Sequence, residues 1–480
     1  MGRNMVCTFL AVTIVWLAPL LGPCAYAIDQ ADTTVTGDYV FEEWRFRAVF
    51  LTHVFERDGS LYAQLDIVDR PSKLVAVDGA ADEYSMDVGG SKNEFVCRFV
   101  RDADGRVTEL WMKNDANGVE MTGRRVDLPL ARLRDRYEST AGAYVYEPPL
   151  EIEGDWAVGS LEEAGIDPGP LHEMMADISQ SADFMQSILV VKDGKLVFEE
   201  YMNGWDPLRL HRLQSVTKSV TSTMAGLAIS EGLIGSVQDP LRDYLPEYAE
   251  LFDETKSKIL IEHLLTMTGG FEWNEDATYY AKPEDCDAHL AMASGDFIQY
   301  VLEKPMANEP GTVFEYNSGF PNMLGYIIEL RAGMNLLEFA DAHLFEPLGI
   351  ERAYWQPESG IDRPGCAGGL RLTSRDMARY GLLYLQDGMW NGEQLLDPEW
   401  VRESVRWRVD AYEGGYGYLW KRYVNEDIDA FLASGTGGQF IVCIPALDAV
   451  IVTTAQFNTD KDYQIVELLL SYVVPALMAS

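Results

Sequence analysis

The sequence is poor in basic residues: of its 480 residues, 38 are lysine or arginine, whereas 76 are aspartate or glutamate. The formal net charge of −38 repels phosphate groups and anionic lipid headgroups. We therefore expect neither nucleic acid nor an anionic membrane as a partner. The acidic residues are spread along the chain and form no tail, which favours a solubilising surface over a charged binding segment.

The sequence also lacks a hydrophobic run long enough to span a membrane. The apolar run Val6–Leu21 is shorter than the roughly 20 residues that a transmembrane helix needs. It follows Arg3 and precedes the small-residue pattern Ala25-Tyr26-Ala27, an arrangement typical of a secretory signal. We expect residues 1–27 to be a signal peptide that is cut after Ala27, which predicts a periplasmic or secreted protein without stable membrane insertion. The alternative is an uncleaved anchor.

Cysteine is scarce, with six residues in the whole chain and four after residue 27. Cys97 and Cys443 lie in strand-like apolar runs, which favours buried free thiols. Cys286 and Cys366 lie in predicted loops, and they could form a disulfide in an oxidising compartment. The sequence leaves that pairing open.

Several catalytic signatures are absent as well. The chain has no Gly-x-Ser-x-Gly, no His-Glu-x-x-His and no Walker loop. Its six histidines are scattered without zinc spacing, and the two that flank predicted helices, His211 and His263, are interpreted as structural. We therefore expect no metal and no cofactor.

The pattern of apolar residues divides the chain into two regions. Residues 28–131 alternate as strands do, with turn signals such as Asp58-Gly59 and Asp104-Gly105, and they predict a small β-barrel or sandwich. A linker follows at residues 132–154. Residues 155–480 mix strands and helices, and their first and last strands are expected to share one antiparallel sheet in an α+β fold.

The second region contains the only Ser-x-x-Lys of the sequence, Ser215 to Lys218. Helical spacing of apolar residues predicts a buried helix over Leu213–Leu233, and residues three apart lie on the same face of a helix. The Lys218 amine can therefore reach the Ser215 hydroxyl. A serine becomes a good nucleophile when a neighbouring base takes its proton, and burial favours a neutral lysine.

Two further elements could complete a catalytic site. Tyr316 follows a predicted turn, and a lysine cation beside a tyrosine lowers the pKa of the phenol, which would let it act as a base. The glycine-rich segment Ser434–Gln439 leads into a strand, where its backbone N–H groups could stabilise an oxyanion together with that of Ser215. Each element alone is also compatible with a purely structural role.

Taken in this order, the three elements resemble those of the serine β-lactamase and penicillin-binding-protein superfamily. The resemblance is to its class C β-lactamase-related branch, and within it to the esterases and the amidases of aminohexanoate oligomers. It covers about Asp155–Ser480, and the surrounding stretches that also match are Ser187–Gly194, Gln214–Ser219, Ile261–Gly270, Gly368–Asp376 and Tyr416–Trp420.

The resemblance implies an antiparallel sheet with flanking helices and a helical insert, the β-lactamase/transpeptidase-like fold. It implies that Ser215 is the acylated nucleophile, that Lys218 is its partner and that Tyr316 is the general base. Oxyanion-hole N–H groups would come from Ser215 and Thr436. We expect substrate contacts from four further residues: Ser318, Ser434, Gly435 and Gln439.

Two positions depart from the family pattern. Ser318 replaces the asparagine of the Tyr-x-Asn motif, and the neutral Ala433 stands where the Lys-Thr-Gly motif has its cation. That cation normally helps to bind a substrate carboxylate. Its absence favours an ester or an uncharged amide over a β-lactam.

The leading hypothesis is an exported serine hydrolase that cleaves a small ester or amide through an acyl-enzyme on Ser215. One alternative is a β-lactamase or D-amino-acid peptidase that acts on cell-wall material. Another is a catalytically slow binding or sensing module. The segments Glu272–Asp287 and Trp407–Tyr418 are rich in aromatic and acidic residues and are expected to form loops over the site. The sequence predicts no oligomeric state.

Overall fold

A computed structural model describes residues 34–43, 48–66, 71–88, 94–116, 118–126, 144–151, 156–181, 184–357, 363–412, 414–456 and 462–479. The predicted signal peptide lies outside these residues, and so does most of the predicted linker. Contacts divide the chain into two compact units, one that contains Leu51–Leu128 and one that contains Pro129–Ser480.

The first unit holds a closed barrel of eight antiparallel strands, in which each strand pairs with the next and β1 pairs with β8. Inward side chains alternate with outward ones, as in β6, where Phe95, Cys97 and Phe99 are buried. Asp58 and Gly59 both have positive φ, as a tight hairpin turn requires. The strands are β1 (Gly37–Glu43), β2 (Ala48–Arg57), β3 (Ser60–Leu65), β4 (Ser72–Ala76), β5 (Glu83–Asp87), β6 (Glu94–Arg101), β7 (Val107–Asn114) and β8 (Val119–Val126).

The second unit is built on an eight-stranded antiparallel sheet in the order β10-β9-β21-β20-β19-β18-β17-β16. The predicted pairing of first and last strands is confirmed, since Val190 of β9 lies opposite Ile451 of β21. The strands of this unit are β9 (Met185–Lys192), β10 (Lys195–Tyr201), β11 (His211–Arg212), β12 (Tyr354–Trp355), β13 (Leu370–Leu372), β14 (Met389–Trp390), β15 (Glu393–Gln394), β16 (Val409–Ala411), β17 (Gly414–Tyr416), β18 (Lys421–Val424), β19 (Asp429–Gly435), β20 (Gln439–Ile444) and β21 (Ala449–Ala455).

Helices cover both faces of this sheet, and none among the described residues is long and apolar enough to cross a membrane. Most of them lie between β10 and β16 in sequence, as a helical insert. The α-helices are α1 (Pro168–Ser181), α2 (Val216–Ser230), α3 (Ile261–Leu265), α4 (Asp287–Ala293), α5 (Phe297–Glu303), α6 (Gly319–Ala332), α7 (Leu336–Ala340), α8 (Glu346–Leu348), α9 (Ser374–Leu385), α10 (Pro398–Ser404), α11 (Asp462–Leu468) and α12 (Val474–Met478).

Helix α2 lies in the core between the sheet and the helical insert. All residues from Val216 to Ala228 are buried, including the polar ones, so the helix has no solvent face over most of its length. Its hydroxyls are used inside the protein: Thr221 donates to the carbonyl of Cys366, and Ser219 donates to that of Leu419. These bonds fix α2 to the loops around its first turns, which are the turns that carry Ser215 and Lys218.

The described cysteines are all free. Cys97 and Cys443 are buried thiols, as predicted, and burial raises the pKa of Cys97 to about 12. The possible disulfide between Cys286 and Cys366 is not formed. Both residues are buried and have free thiols. Cys366 packs instead against Gly325 of α6, where the missing side chain leaves room for the sulfur.

This arrangement predicts the thiol content of the protein. Buried thiols react slowly, because the reagent cannot reach the sulfur atom in the folded protein. In protein purified without reductant, Ellman's reagent should detect almost no thiol in the native state. Four thiols per chain should react after denaturation of a chain that begins after residue 27, whereas a Cys286–Cys366 disulfide would leave two.

Candidate active site

Ser215 directly precedes the first residue of α2, and two donors lie within hydrogen-bond distance of its hydroxyl oxygen. Lys218 Nζ lies 3.0 Å from Ser215 Oγ, and the hydroxyl of Tyr316 lies 2.8 Å from the same atom. Lys218 is 2% exposed, and its amine also donates to the carbonyl of Ala367 at 2.8 Å. The structure therefore brings together the three residues that the sequence singled out.

Backbone strain marks the approach to the nucleophile. Gln214, directly before Ser215, has a φ of +49°, in the left-handed region that side chains other than glycine rarely adopt. Leu213 is held by a hydrogen bond from its N–H to the carbonyl of Leu370. The chain thus turns sharply from a fixed strand contact into α2, which presents the Ser215 hydroxyl at the end of the helix.

Tyr316 is fixed by the segment that follows α3. The carbonyl of Met267 accepts a hydrogen bond from the N–H of Glu315, and its sulfur lies 3.4 Å from the N–H of Asn317. Met267 itself has a positive φ of 58°. The matching stretch around residues 261–270 thus supplies the support that aims the phenol at Ser215.

The pKa of the Tyr316 phenol is shifted in the direction opposite to the one expected from the sequence. Burial raises its pKa well above the usual value, and nearby Tyr416 and Glu275 raise it further, whereas its hydrogen bond with Ser215 lowers it. The expected lowering of the pKa is therefore wrong in direction. At neutral pH the phenol keeps its proton and acts as a donor toward Ser215 Oγ.

The glycine-rich segment lies against the nucleophile. A Cβ on Gly435 would overlap the carbonyl oxygen of Leu213 and would lie 3.1 Å from Ser215 N. Only glycine lets the end of β19 come this close to the turn into α2. Thr436 directly follows Gly435, the last residue of β19, and the oxyanion hole formed by the N–H groups of Thr436 and Ser215 stays a prediction.

The predicted substrate contacts have different surroundings. Ser318, at the start of α6, donates its hydroxyl to Glu275 Oε1 at 2.5 Å and its N–H to Glu275 Oε2 at 2.8 Å. Gln439 donates its side-chain amide to the carbonyls of Ala455 and Gly437, within the sheet. In this structure both side chains are engaged by the protein itself, so their contacts with substrate stay predictions.

Two residues near the site were missed in the sequence. Glu275 is a buried acid that also accepts a hydrogen bond from the indole of Trp273, and it lies in the segment predicted to form a loop over the site. Lys421, the first residue of β18, places its amine 3.2 Å from the Ser434 hydroxyl. This contact could not be read from the sequence, because the two residues are 13 positions apart in a hairpin whose register is set only in the fold.

One aromatic residue of the segment Trp407–Tyr418, Tyr412, packs beside Tyr316. The ring of Tyr412 lies 6.5 Å from that of Tyr316 and 5.6 Å from that of Phe314, between centroids. Tyr412 also donates its hydroxyl to Asp276 at 2.7 Å. The two segments expected to form loops over the site thus meet at Tyr412, next to Tyr316.

The arrangement can carry out acyl transfer. It offers a hydroxyl with an adjacent amine, a protonated phenol and a backbone edge beside the nucleophile. Among the described residues, no cluster of histidine, cysteine, aspartate and glutamate could hold a metal ion.

His211 is buried, and the pKa of its imidazole is lowered well below the usual value by burial and by the neighbouring Arg209 and Arg371.

Comparison with known proteins agrees with this geometry. The chain is 29% identical over 290 residues to a 6-aminohexanoate-dimer hydrolase of Paenarthrobacter ureafaciens, a match that covers 55% of this chain and 71% of the relative. It superposes on a penicillin-binding protein from Bacillus halodurans with a TM-score of 0.50 and 19% identity, covering 62% of this chain and 99% of that one.

A hydrolase with promiscuous acyltransferase activity has the same fold, with a TM-score of 0.52 and 14% identity over 64% of this chain and 98% of the other. These structural matches establish the β-lactamase/transpeptidase-like fold of the second unit. The family model described as beta-lactamase matches residues 182–470, which is more than half of the sequence and includes Ser215, Lys218 and Tyr316. The chain therefore belongs to the beta-lactamase family.

Proposed function

We propose that this protein is an exported serine hydrolase that cleaves a small ester or amide through an acyl-enzyme on Ser215. The observation that carries the proposal is the pair of donors on one oxygen: the Lys218 amine and the Tyr316 phenol both contact Ser215 Oγ. A structural serine at this position would usually cap the helix by accepting a hydrogen bond from a backbone N–H of the first turn, and the Ser215 side chain makes no such bond.

In the proposed first step, Ser215 Oγ attacks the substrate carbonyl carbon and its proton passes to the amine of Lys218, which is neutral in the reactive state and then accepts from the hydroxyl instead of donating to it. The carbonyl oxygen gains the negative charge, and the N–H groups of Ser215 and Thr436 stabilise it. The positive end of the α2 dipole adds to that stabilisation.

In the proposed second step, the bond to the leaving group breaks and the leaving group takes the proton of Tyr316. Lys218 then returns the serine proton to the phenol. Water hydrolyses the acyl-enzyme by the reverse sequence. Tyr316 serves as an acid during acylation because its raised pKa keeps it protonated.

The N-terminal sequence supports export. Residues 1–27 combine Arg3, an apolar run and a small-residue cleavage pattern. Expression of the full chain in a Gram-negative host should therefore yield periplasmic or secreted protein that begins at Ile28. N-terminal sequencing checks this, and a cell-associated protein with an intact N-terminus would contradict it.

Labelling tests the nucleophile. A fluorophosphonate probe should modify Ser215, and Ser215→Ala should abolish labelling and lower the turnover of p-nitrophenyl butyrate at least about a thousandfold. Ser222→Ala is the matched control, because the Ser222 hydroxyl lies in the same helix and has no hydrogen-bond partner among the described residues. Labelling without turnover would favour the slow binding module, and absence of labelling would contradict the proposal.

Leaving groups test the role of Tyr316. Tyr316→Phe removes the proposed acid, so the acylation rate should fall about a hundredfold for an alkyl ester or an anilide. The rate should fall much less for p-nitrophenyl butyrate, whose leaving group departs without a proton. Stopped-flow measurement of the acylation burst separates the two cases. Equal losses for both substrates would show that Tyr316 acts as the base.

A further inference from the structure

Lys421 reaches the end of the sheet at which the nucleophile lies. Its amine is 3.2 Å from the Ser434 hydroxyl, and Ser434 directly precedes Gly435, the residue in contact with the turn before Ser215. The same amine is 5.1 Å from the centroid of the Tyr412 ring, which packs beside Tyr316. Two independent contacts therefore place this cation next to the proposed site.

The position of Ala433 shows why the cation comes from another strand. Ala433 is fully buried in the same core cluster as Val216 of α2, so a lysine at this position would be directed into apolar packing. Lys421 lies on the neighbouring strand, opposite Leu432, where it is only half-buried. Its stem can pack on the sheet while the ammonium stays at the edge of the site.

The contact with Ser434 leaves a second donor at this point. A serine oxygen that accepts a hydrogen bond from an ammonium group still has its own O–H to donate. An ammonium and a hydroxyl that lie together can both bind one anion through charge-assisted hydrogen bonds.

We infer that Lys421 and Ser434 bind a carboxylate of the substrate, so that the preferred substrate is an ester or amide that carries a carboxylate group. The inference rests on the proposed function and narrows it. The neutral Ala433 of β19 led us to expect a substrate without a carboxylate. The inference reverses that expectation, because Lys421 of β18 supplies the cation that position 433 lacks.

Matched esters test the inference. In the first pair, 4-acetoxybenzoate carries a carboxylate on its leaving group, and its methyl ester is neutral. In the second pair, mono-p-nitrophenyl adipate carries a carboxylate on its acyl group, and p-nitrophenyl hexanoate is neutral. In at least one pair, the wild type should prefer the carboxylate-bearing member in kcat/KM, and the preference should shrink at high salt.

Lys421→Met should lower that preference about tenfold or more, mainly through KM, because it removes a charge-assisted hydrogen bond to the carboxylate. Lys421→Arg should restore part of it. Lys258→Met is the control for net charge, because Lys258 is an exposed lysine that pairs with Glu309. Its substitution should leave the preference unchanged.

The outcomes separate this inference from the proposed function. If the wild type hydrolyses the neutral esters but shows no preference that depends on Lys421, the carboxylate site is wrong and the hydrolase proposal stands. If Lys421→Met lowers both members of each pair equally, the lysine has a structural role and the inference is likewise wrong. If the wild type hydrolyses none of the four esters and Ser215 is not labelled, both proposals fail.

Discussion

The contact between the end of β19 and the turn that begins α2 is the constraint on which the rest of the site depends. Gly435 has to lie against Leu213 and Ser215 for the strand edge to approach the nucleophile, and any side chain at this position would push them apart. The buried helix α2 provides the fixed surface for that contact, because its hydroxyls are bonded to the loops around it. The strained turn at Gln214 is stable only in this surrounding.

Burial sets the chemistry of the site as well as its geometry. A lysine that is almost fully buried is costly in its charged form, and a phenol in the same surroundings keeps its proton. The proposed mechanism divides the roles between the two side chains on this basis: the amine accepts the proton of Ser215, and the phenol donates one. The neighbouring Glu275 strengthens this division, because its negative charge raises the pKa of Tyr316 further.

The charges around the site differ from those of the protein as a whole. The surface is strongly acidic, and Glu275 and Asp276 lie close to Tyr316 and Tyr412. Lys421 introduces a positive charge from the neighbouring strand, beside Ser434. Substrate selectivity in such a site depends on where single charges lie and less on net charge, since net charge acts over long distances and is screened by salt.

The sequence by itself indicated a β-rich region followed by a mixed region, the buried helix α2 and the closeness of Ser215 and Lys218. These follow from local periodicity and from residue spacing within one helix, whereas the role expected of Tyr316 came from the resemblance to a known family. The tertiary structure decided the free state of Cys286 and Cys366, the direction of the Tyr316 pKa shift and the contact of Lys421 with Ser434. Each of these depends on burial or on strand register between residues distant in sequence, which composition and spacing do not encode.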